Sequence, residues 1–269
     1  MSHSRTSKGT IGSRICRNSD TICICCDCGF FATRKWSWTD ESLGFSSERG
    51  DKVIPLSLYL ILGSQNCKYA PEFVLQEAIR GGVTMFQFRE KGESALPYRE
   101  KRDLAKRLQQ ICQNNDIPFI VNDDIELTRE LNADGIHIGQ DDRPLKDVRA
   151  WFPDKIVGVS AHDVGEASKA MREGADYLGV GPMYHTDTKP DIELVKGPAV
   201  IQAMRKSGIQ IPIVGIGGIT HANAEAVLRA GADGIAVISA ITKDQDPYQA
   251  AQMFCTDKTK RLDNKQLLR

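Results

Sequence analysis

GADYLGVG, Gly174 to Gly181, occurs in two further guises: NADGIHIG from Asn132 and GADGIAVI from Gly231. In each, a helical pattern closes on Gly or Asn, residues able to take a left-handed backbone. An Asp then turns the chain into an apolar run of strand character. Repetition of helix end, acid and strand implies βα units with parallel strands. Working outward, the strand-like runs are LSLYLIL (56–62), TMFQF (84–88), PFIV (118–121), GIHI (135–138), KIVGV (155–159), YLGVG (177–181), IPIVGI (211–216) and GIAVI (234–238). Helical patterns such as PEFVLQEAI, GEASKAMRE and ANAEAVLRA lie between them. Leu104, Leu108 and Ile111 fall at helical spacing with charges on the other face. Eight runs between residue 54 and residue 269 predict an α/β fold, a (β/α)8 or TIM barrel, whose usual length is ~250 residues. A Rossmann sheet fits less well, because no GxGxxG opens the first unit and the glycine-rich segment comes late.

Composition narrows the function classes. Basic and acidic residues balance at 35 each, and 41% of the 269 residues are hydrophobic. That describes a globular chain with a sizeable core and no case for bulk nucleic-acid affinity. No apolar run approaches the roughly 18 residues of a membrane span. The expected partners are small molecules, with neither nucleic acid nor membrane; a homo-oligomer is left open. Of eight cysteines, Cys16, Cys23, Cys25, Cys26 and Cys28 crowd the start, while Cys67, Cys112 and Cys255 are scattered. The scattered three read as reduced packing residues, which points to a cytoplasmic protein.

Residues 1–52 are rich in Ser and Thr and lack helical or strand period. They are expected to be a largely disordered, dispensable extension, with residues 53–269 forming the barrel. Two functional readings compete. Arg5, Lys8, Arg14 and Arg17 with no acid before Asp20 suit an organellar transit peptide. CICCDC, Cys23 to Cys28, could bind a soft metal, but has no second well-spaced Cys or His pair.

In such barrels the chemistry sits where strands end. The second run ends in Arg89 and Lys91, the third in Asn122, Asp123 and Asp124, and the fourth in Gln140, Asp141 and Asp142. The fifth leads into Ser160 and His162. The loop after the sixth holds Thr186, Thr188 and Lys189. The seventh ends in Gly217 and Gly218, and the eighth in Ile238 and Ser239. Arg89, Lys91 and Lys189 ring one mouth with Asp123 and one of the following acids. Cations beside paired carboxylates suggest a divalent ion bridging acid to an anionic substrate. Mg2+ is held in this way, by one or two carboxylates plus phosphates. Gly217-Gly218 and Ile238-Ser239 occupy the phosphate cradle usual for these barrels; a bulky residue at 218 would block backbone approach to the anion. The bland readings are a helix cap for Asp123 or Asp124, solvated loop charges for Arg89 and Lys91, and a plain turn for the glycines. DDIEL favours Asp124 as the cap and Asp123 as the site residue. His137 points into the barrel if Ile136 and Ile138 face the helices; it is either a satisfied core histidine or a substrate contact. His162 is an acid–base candidate with nothing local to place it near a substrate.

QFREK (87–91), VNDD (121–124), HIGQDD (137–142), GVSAH (158–162), GPMYHTDTK (181–189), VGIGGI (214–219) and VISAI (237–241) together resemble the thiamine-phosphate synthase family. The match runs in order from about Tyr59 to Ser239. The resemblance implies a transferase that joins 4-amino-2-methyl-5-(diphosphooxymethyl)pyrimidine to the phosphorylated hydroxyethyl-methylthiazole, releasing diphosphate. It implies that Gln87, Phe88, Arg89, Glu90, Lys91, Asn122, Ser160 and Lys189 bind the pyrimidine diphosphate. Asp123 and Asp142 would hold one Mg2+. Thr186, Thr188, Gly218, Ile238 and Ser239 would bind the thiazole phosphate, with Tyr59 and His137 beside the pyrimidine. Two rivals remain: a thiazole tautomerase on the same barrel, and a non-catalytic thiamine-precursor-binding protein. Lys91, Asp142 and the cations of QFREK argue against the first, and the intact acids and cations against the second.

Overall fold

The computed structural model describes residues 16–18, 21–23, 54–186 and 195–255. Within the N-terminal stretch, β1 (Cys16–Asn18) and β2 (Thr21–Cys23) pair antiparallel; the rest of that stretch, with Arg5, Lys8, Arg14 and most of the CICCDC run, lies outside the described residues. Residues 52–257 form one unit. Its strands are β3 (Leu58–Leu62), β4 (Met85–Phe88), β5 (Phe119–Asn122), β6 (Gly135–Ile138), β7 (Ile156–Ala161), β8 (Tyr177–Val180), β9 (Ile213–Ile216) and β10 (Gly234–Val237). All are parallel, each pairs with its sequence neighbour, and β10 closes onto β3. This is the eight-stranded TIM barrel that the repeated runs predict.

Helices α1 (Pro71–Arg80), α2 (Tyr98–Asn114), α3 (Ile125–Glu130), α4 (Leu145–Trp151), α5 (Val164–Arg172), α6 (Ala199–Lys206) and α7 (Ala224–Arg229) alternate with the strands; α8 (Ser239–Thr242) and a helix over residues 247–255 follow β10. Strand side chains alternate between two cores. Phe86, Phe88, Val121, Ile136, Ile138 and Val157 face the helices in a large outer cluster. Tyr59, Ile61, Met85, Ile120, Tyr177, Val214 and Ala236 fill the barrel itself.

The repeated Asp has a structural task. Asp134, Asp176 and Asp233 each stand immediately before a strand. Each donates its own N–H to the first part of the preceding strand (Phe119 O, Val157 O, Ile213 O). Each carboxylate then accepts the N–H of that same residue, at 2.7–2.8 Å. The backbone of one strand is thereby gripped from both sides by the start of the next. Thr84, before β4, does the same: its N–H donates to Leu58 O and its Oγ1 accepts from Leu58 N at 3.0 Å. The barrel is thus four βαβ quarters, one of which hides behind a Thr. A further element recurs. Gln109 of α2 donates to Leu131 O, Arg149 of α4 to Gly174 O, and Arg205 of α6 to Gly231 O. Each ties down a carbonyl one or two residues past the end of the following helix.

Candidate active site

The strands' C-terminal ends define the mouth, and β5 delivers the first acid. Asn122 ends the strand, and Asp123 then adopts φ +60°. Few residues take this left-handed conformation; Asp and Asn are among those that do. Asp123 N–H still donates to His137 O at 2.9 Å, so the turn remains attached to β6. Asp124 caps α3, its Oδ1 accepting from Leu127 N at 2.9 Å, while Oδ2 accepts from Lys101 Nζ at 2.7 Å. Asp124 is thus the cap that DDIEL favours. From the loop after β6, Asp142 folds back so that Oδ2 accepts from Gly139 N at 2.7 Å. Lys91 from the loop after β4 sits between the two acids, Nζ 2.5 Å from Asp123 Oδ2 and 3.8 Å from Asp142 Oδ1.

These charges set one another. Burial, followed by the neighbouring Asp142 carboxylate, pushes the Asp123 carboxyl above the usual range. Burial also opposes ionisation of Asp142, but contact with Asp123, the Gly139 N–H and the charge of Lys91 outweigh it and hold that carboxyl low. The hydrogen bond to Asp123 raises Lys91. Two half-buried carboxylates on adjacent strands, with hard oxygen donors only, fit a Mg2+ ion that completes its shell with substrate phosphate and water. Among the described residues no group of three or more His, Cys, Asp or Glu side chains forms a ready-made metal cage. Arg89 stands close enough to Lys91 to repel its charge, and makes no ion pair among the described residues.

The floor of the mouth is a chain of buried polar groups. Gln87 Nε2 donates to Tyr59 OH at 2.8 Å, Tyr59 OH meets Tyr177 OH at 2.8 Å, and Tyr177 OH meets His137 Nδ1 at 3.0 Å. His137 Nε2 reaches Ser160 Oγ at 3.1 Å. Burial raises both phenols above their ordinary values. Glycines make room: a Cβ at Gly158 would stand 2.1 Å from the Tyr177 ring, and one at Gly179 3.0 Å from His137.

The opposite rim is the glycine turn. Gly217 and Gly218 take φ +95° and +62°. A Cβ at Gly218 would come within 2.5 Å of His185 O and 2.8 Å of Tyr184 Cβ. Glycine there is demanded by the packing of the neighbouring loop before any anion is considered. Asn223 closes the turn, donating from Nδ2 to Gly218 O and accepting from Thr220 N. Ile238 precedes α8, and Ser239, its first residue, is exposed at the same end of the barrel.

Two residues assigned by resemblance sit differently. Phe88 points outward, fully buried and stacked on Phe119, because alternation from the inward Gln87 sends it to the helices. Only its backbone can face the mouth. Glu90 is also turned into the protein. Its carboxylate accepts from Ser64 N, Ser64 Oγ, Gln65 Nε2 and Leu96 N, which together hold it below the usual carboxylate range despite burial. It binds two rim loops together. His162 is engaged with Glu166, its Nδ1 2.8 Å from the carboxylate. Thr188 and Lys189 lie outside the described residues; Thr186 is the last described residue before them. Tyr177 is the residue that sequence reasoning missed. Its inward parity in β8 and the glycines at 158 and 179 were the available signal.

Comparison with known proteins gives the chain's relatives. A family model described as thiamine monophosphate synthase matches residues 58–241. A thiamine-phosphate synthase of Bacillus licheniformis is 54% identical over 199 residues, covering 74% of this chain and 89% of the relative. One of Geobacillus thermodenitrificans is 53% identical over 201 residues, covering 75% and 91%. Among solved structures, a thiamine phosphate pyrophosphorylase from Pyrococcus furiosus superposes with TM-score 0.68 at 33% identity, covering 77% of this chain and 97% of that one. A 3-hexulose-6-phosphate synthase, TM-score 0.55 at 17% identity, shares the fold alone.

Proposed function

The chain belongs to the thiamine monophosphate synthase family, and on that footing we propose how its own residues carry out the transfer of an aminopyrimidine-methyl group onto a thiazole phosphate. The carrying observation is the paired carboxylates of Asp123 and Asp142 with Lys91, at the same mouth as the Gly217-Gly218 turn and Ser239 and above a buried polar floor.

The diphosphate of the pyrimidine substrate would lie on the acid side, oriented by Arg89, Lys91, Asn122, Ser160 and Lys189. Asp123 and Asp142 would hold Mg2+, which when bound neutralises leaving-group charge. The carbon–oxygen bond to diphosphate breaks, its electron pair leaving with the diphosphate. The aminopyrimidine carries the resulting positive charge. The thiazole nitrogen contributes its lone pair to the new carbon–nitrogen bond and becomes the thiazolium cation. No side-chain nucleophile and no proton transfer is needed, so the protein's work is positioning and electrostatics. Gln87 and Tyr59 would hold the pyrimidine against the floor. Thr186, Thr188, Gly218, Ile238 and Ser239 would bind the thiazole phosphate. The free thiols of Cys67 and Cys112 support a cytoplasmic setting.

The test is turnover of the two purified substrates, followed as thiamine phosphate and diphosphate in equal amounts. Condensation that requires added Mg2+ supports the reading. Isomerisation of the thiazole carboxylate without condensation would assign the chain to the tautomerase reaction.

A further inference from the structure

We propose that Glu90 and Thr242 are positioning residues for the two anion-binding rims. Both act through the loop after β3, residues 63–68: Glu90 holds Arg89 and Lys91 in place, and Thr242 holds the turn that carries Ser239.

In the barrel β3 stands between β10 and β4, so its loop lies between Ser239 on one side and the two cations on the other. On the β4 side, Arg89 N donates to Leu62 O at 2.9 Å. The chains pass so closely that a Cβ at Gly63 would stand 2.1 Å from Arg89 O. Glu90 then fastens the loops. Its Oε2 accepts from Ser64 N at 2.7 Å, and its Oε1 accepts from Ser64 Oγ at 2.7 Å and Leu96 N at 3.0 Å. Leu96 lies beyond Lys91 in the same loop, so the segment carrying both cations is tied to its neighbour and closed on itself. Glu90 is 6% exposed and gives both oxygens to the protein, whereas the next residue, Lys91, reaches Asp123 and Asp142. On the β10 side, Thr242 is the last residue of α8 and fully buried. Its Oγ1 donates to Asn66 O at 2.6 Å and its carbonyl accepts from Lys68 N at 2.9 Å. Its own N–H returns to Ile238 O at 2.9 Å, which bolts the turn holding Ser239 to the same loop. Chemistry fixes these directions, because carboxylate and carbonyl oxygens only accept.

The assignment of one rim to diphosphate and the other to the thiazole phosphate rests on the proposed function; the bonds of the loop do not. Neither Glu90 nor Thr242 touches a substrate in this scheme. A reaction that depends on placement loses rate when its binding groups shift by about 1 Å. Glu90→Gln leaves a single accepting oxygen, while Ser64 N and Leu96 N donate to different ones, so one loop is released. Thr242→Val keeps the volume and deletes the hydroxyl, and Thr242→Ser restores it.

Inorganic diphosphate, titrated with Mg2+ into the full chain and followed by calorimetry, should bind about tenfold more weakly to Glu90→Gln and as in wild type to Thr242→Val. In the condensation assay Glu90→Gln should raise KM for the pyrimidine diphosphate about tenfold and lower kcat. Thr242→Val should raise KM for the thiazole phosphate about fivefold, leave that for the pyrimidine unchanged, and be rescued by Thr242→Ser. A purely structural role would lower the melting temperature and leave the affinities of the folded protein as in wild type; that result overturns the proposal. Equal losses for both substrates in either variant overturn it too. Ser64→Ala and Thr242→Ala remove bonds of the same loop and decide the matter where Glu90→Gln or Thr242→Val does not fold. If diphosphate binding weakens as expected but the wild type forms no thiamine phosphate, the functional reading fails, the thiazole rim with it, and the role of Glu90 stands. A wild type that binds no diphosphate overturns both.

Discussion

Three neighbouring acids, Asp123, Asp124 and Asp142, show how one residue type serves different ends. Asp123→Asn keeps a side chain that tolerates φ +60° and removes half of the carboxylate pair. We expect kcat to fall by about 10²-fold with thermal stability near wild type. Asp142→Asn should behave alike, since an amide oxygen can still accept from Gly139 N. Asp124→Asn keeps the helix cap but loses the ion pair with Lys101, both side chains being 17% exposed. It should cost about 1 kcal/mol of stability and leave kcat unchanged. Kinetics and melts on the three variants separate these roles; equal mild losses of kcat at all three would remove the metal assignment. VNDD and HIGQDD already presented these acids in the sequence. The pairing of Asp123 with Asp142, instead of Asp141, was not legible from spacing, because it depends on Asp142 folding back onto Gly139. Tyr177 was harder still: an aromatic inside a strand looks like core, and only its hydrogen bonds distinguish it.

Loops and turns behave as units. Glu90 gathers four donors from two segments, and these hold its carboxyl below the usual range. A carboxylate whose folded value is depressed stabilises the fold above its unfolded value of about 4.3 and loses that contribution as pH falls through the folded one. Glu90→Gln should therefore be less stable than wild type at pH 7 by about 2 kcal/mol, with the gap closing as pH drops below about 4. Urea unfolding across that range measures it; a gap constant with pH would mean that the ionised form carries no special stability. The clamp residues form a second class. Asp176 joins Val157 N to the Arg149 guanidinium, so Asp176→Ala should cost about 2–3 kcal/mol. Thr84→Val deletes a neutral version of the same grip and should cost about 1 kcal/mol. Neither should change KM, since both act at the strand starts, away from the mouth. The Asp-led repeats announced three quarters of the barrel. The Thr84 quarter was silent in sequence, because one hydroxyl does the work of a carboxylate without sharing its letter.

At the scale of the molecule, the unit spanning residues 52–257 contains the closed barrel and every described site residue. A chain beginning at Lys52 should fold and turn over like the full protein, measured by melting temperature and kcat/KM. Loss of activity in a folded truncated barrel would give the N-terminal stretch a part in function. The sequence by itself determined the barrel: eight apolar runs, helical patterns between them and an acid before alternate strands leave one economical way to bury both strand faces. It also determined the chemical class, because cations and paired acids at strand ends survive any reasonable closure. The tertiary structure alone decided which way each group faces. Parity turned Phe88 outward, rim packing turned Glu90 inward, and closure of the barrel brought Tyr59 and Tyr177, 118 positions apart, to 2.8 Å. Periodicity reports local geometry, whereas a hydrogen-bond chain across a barrel exists only once the eight strands have met.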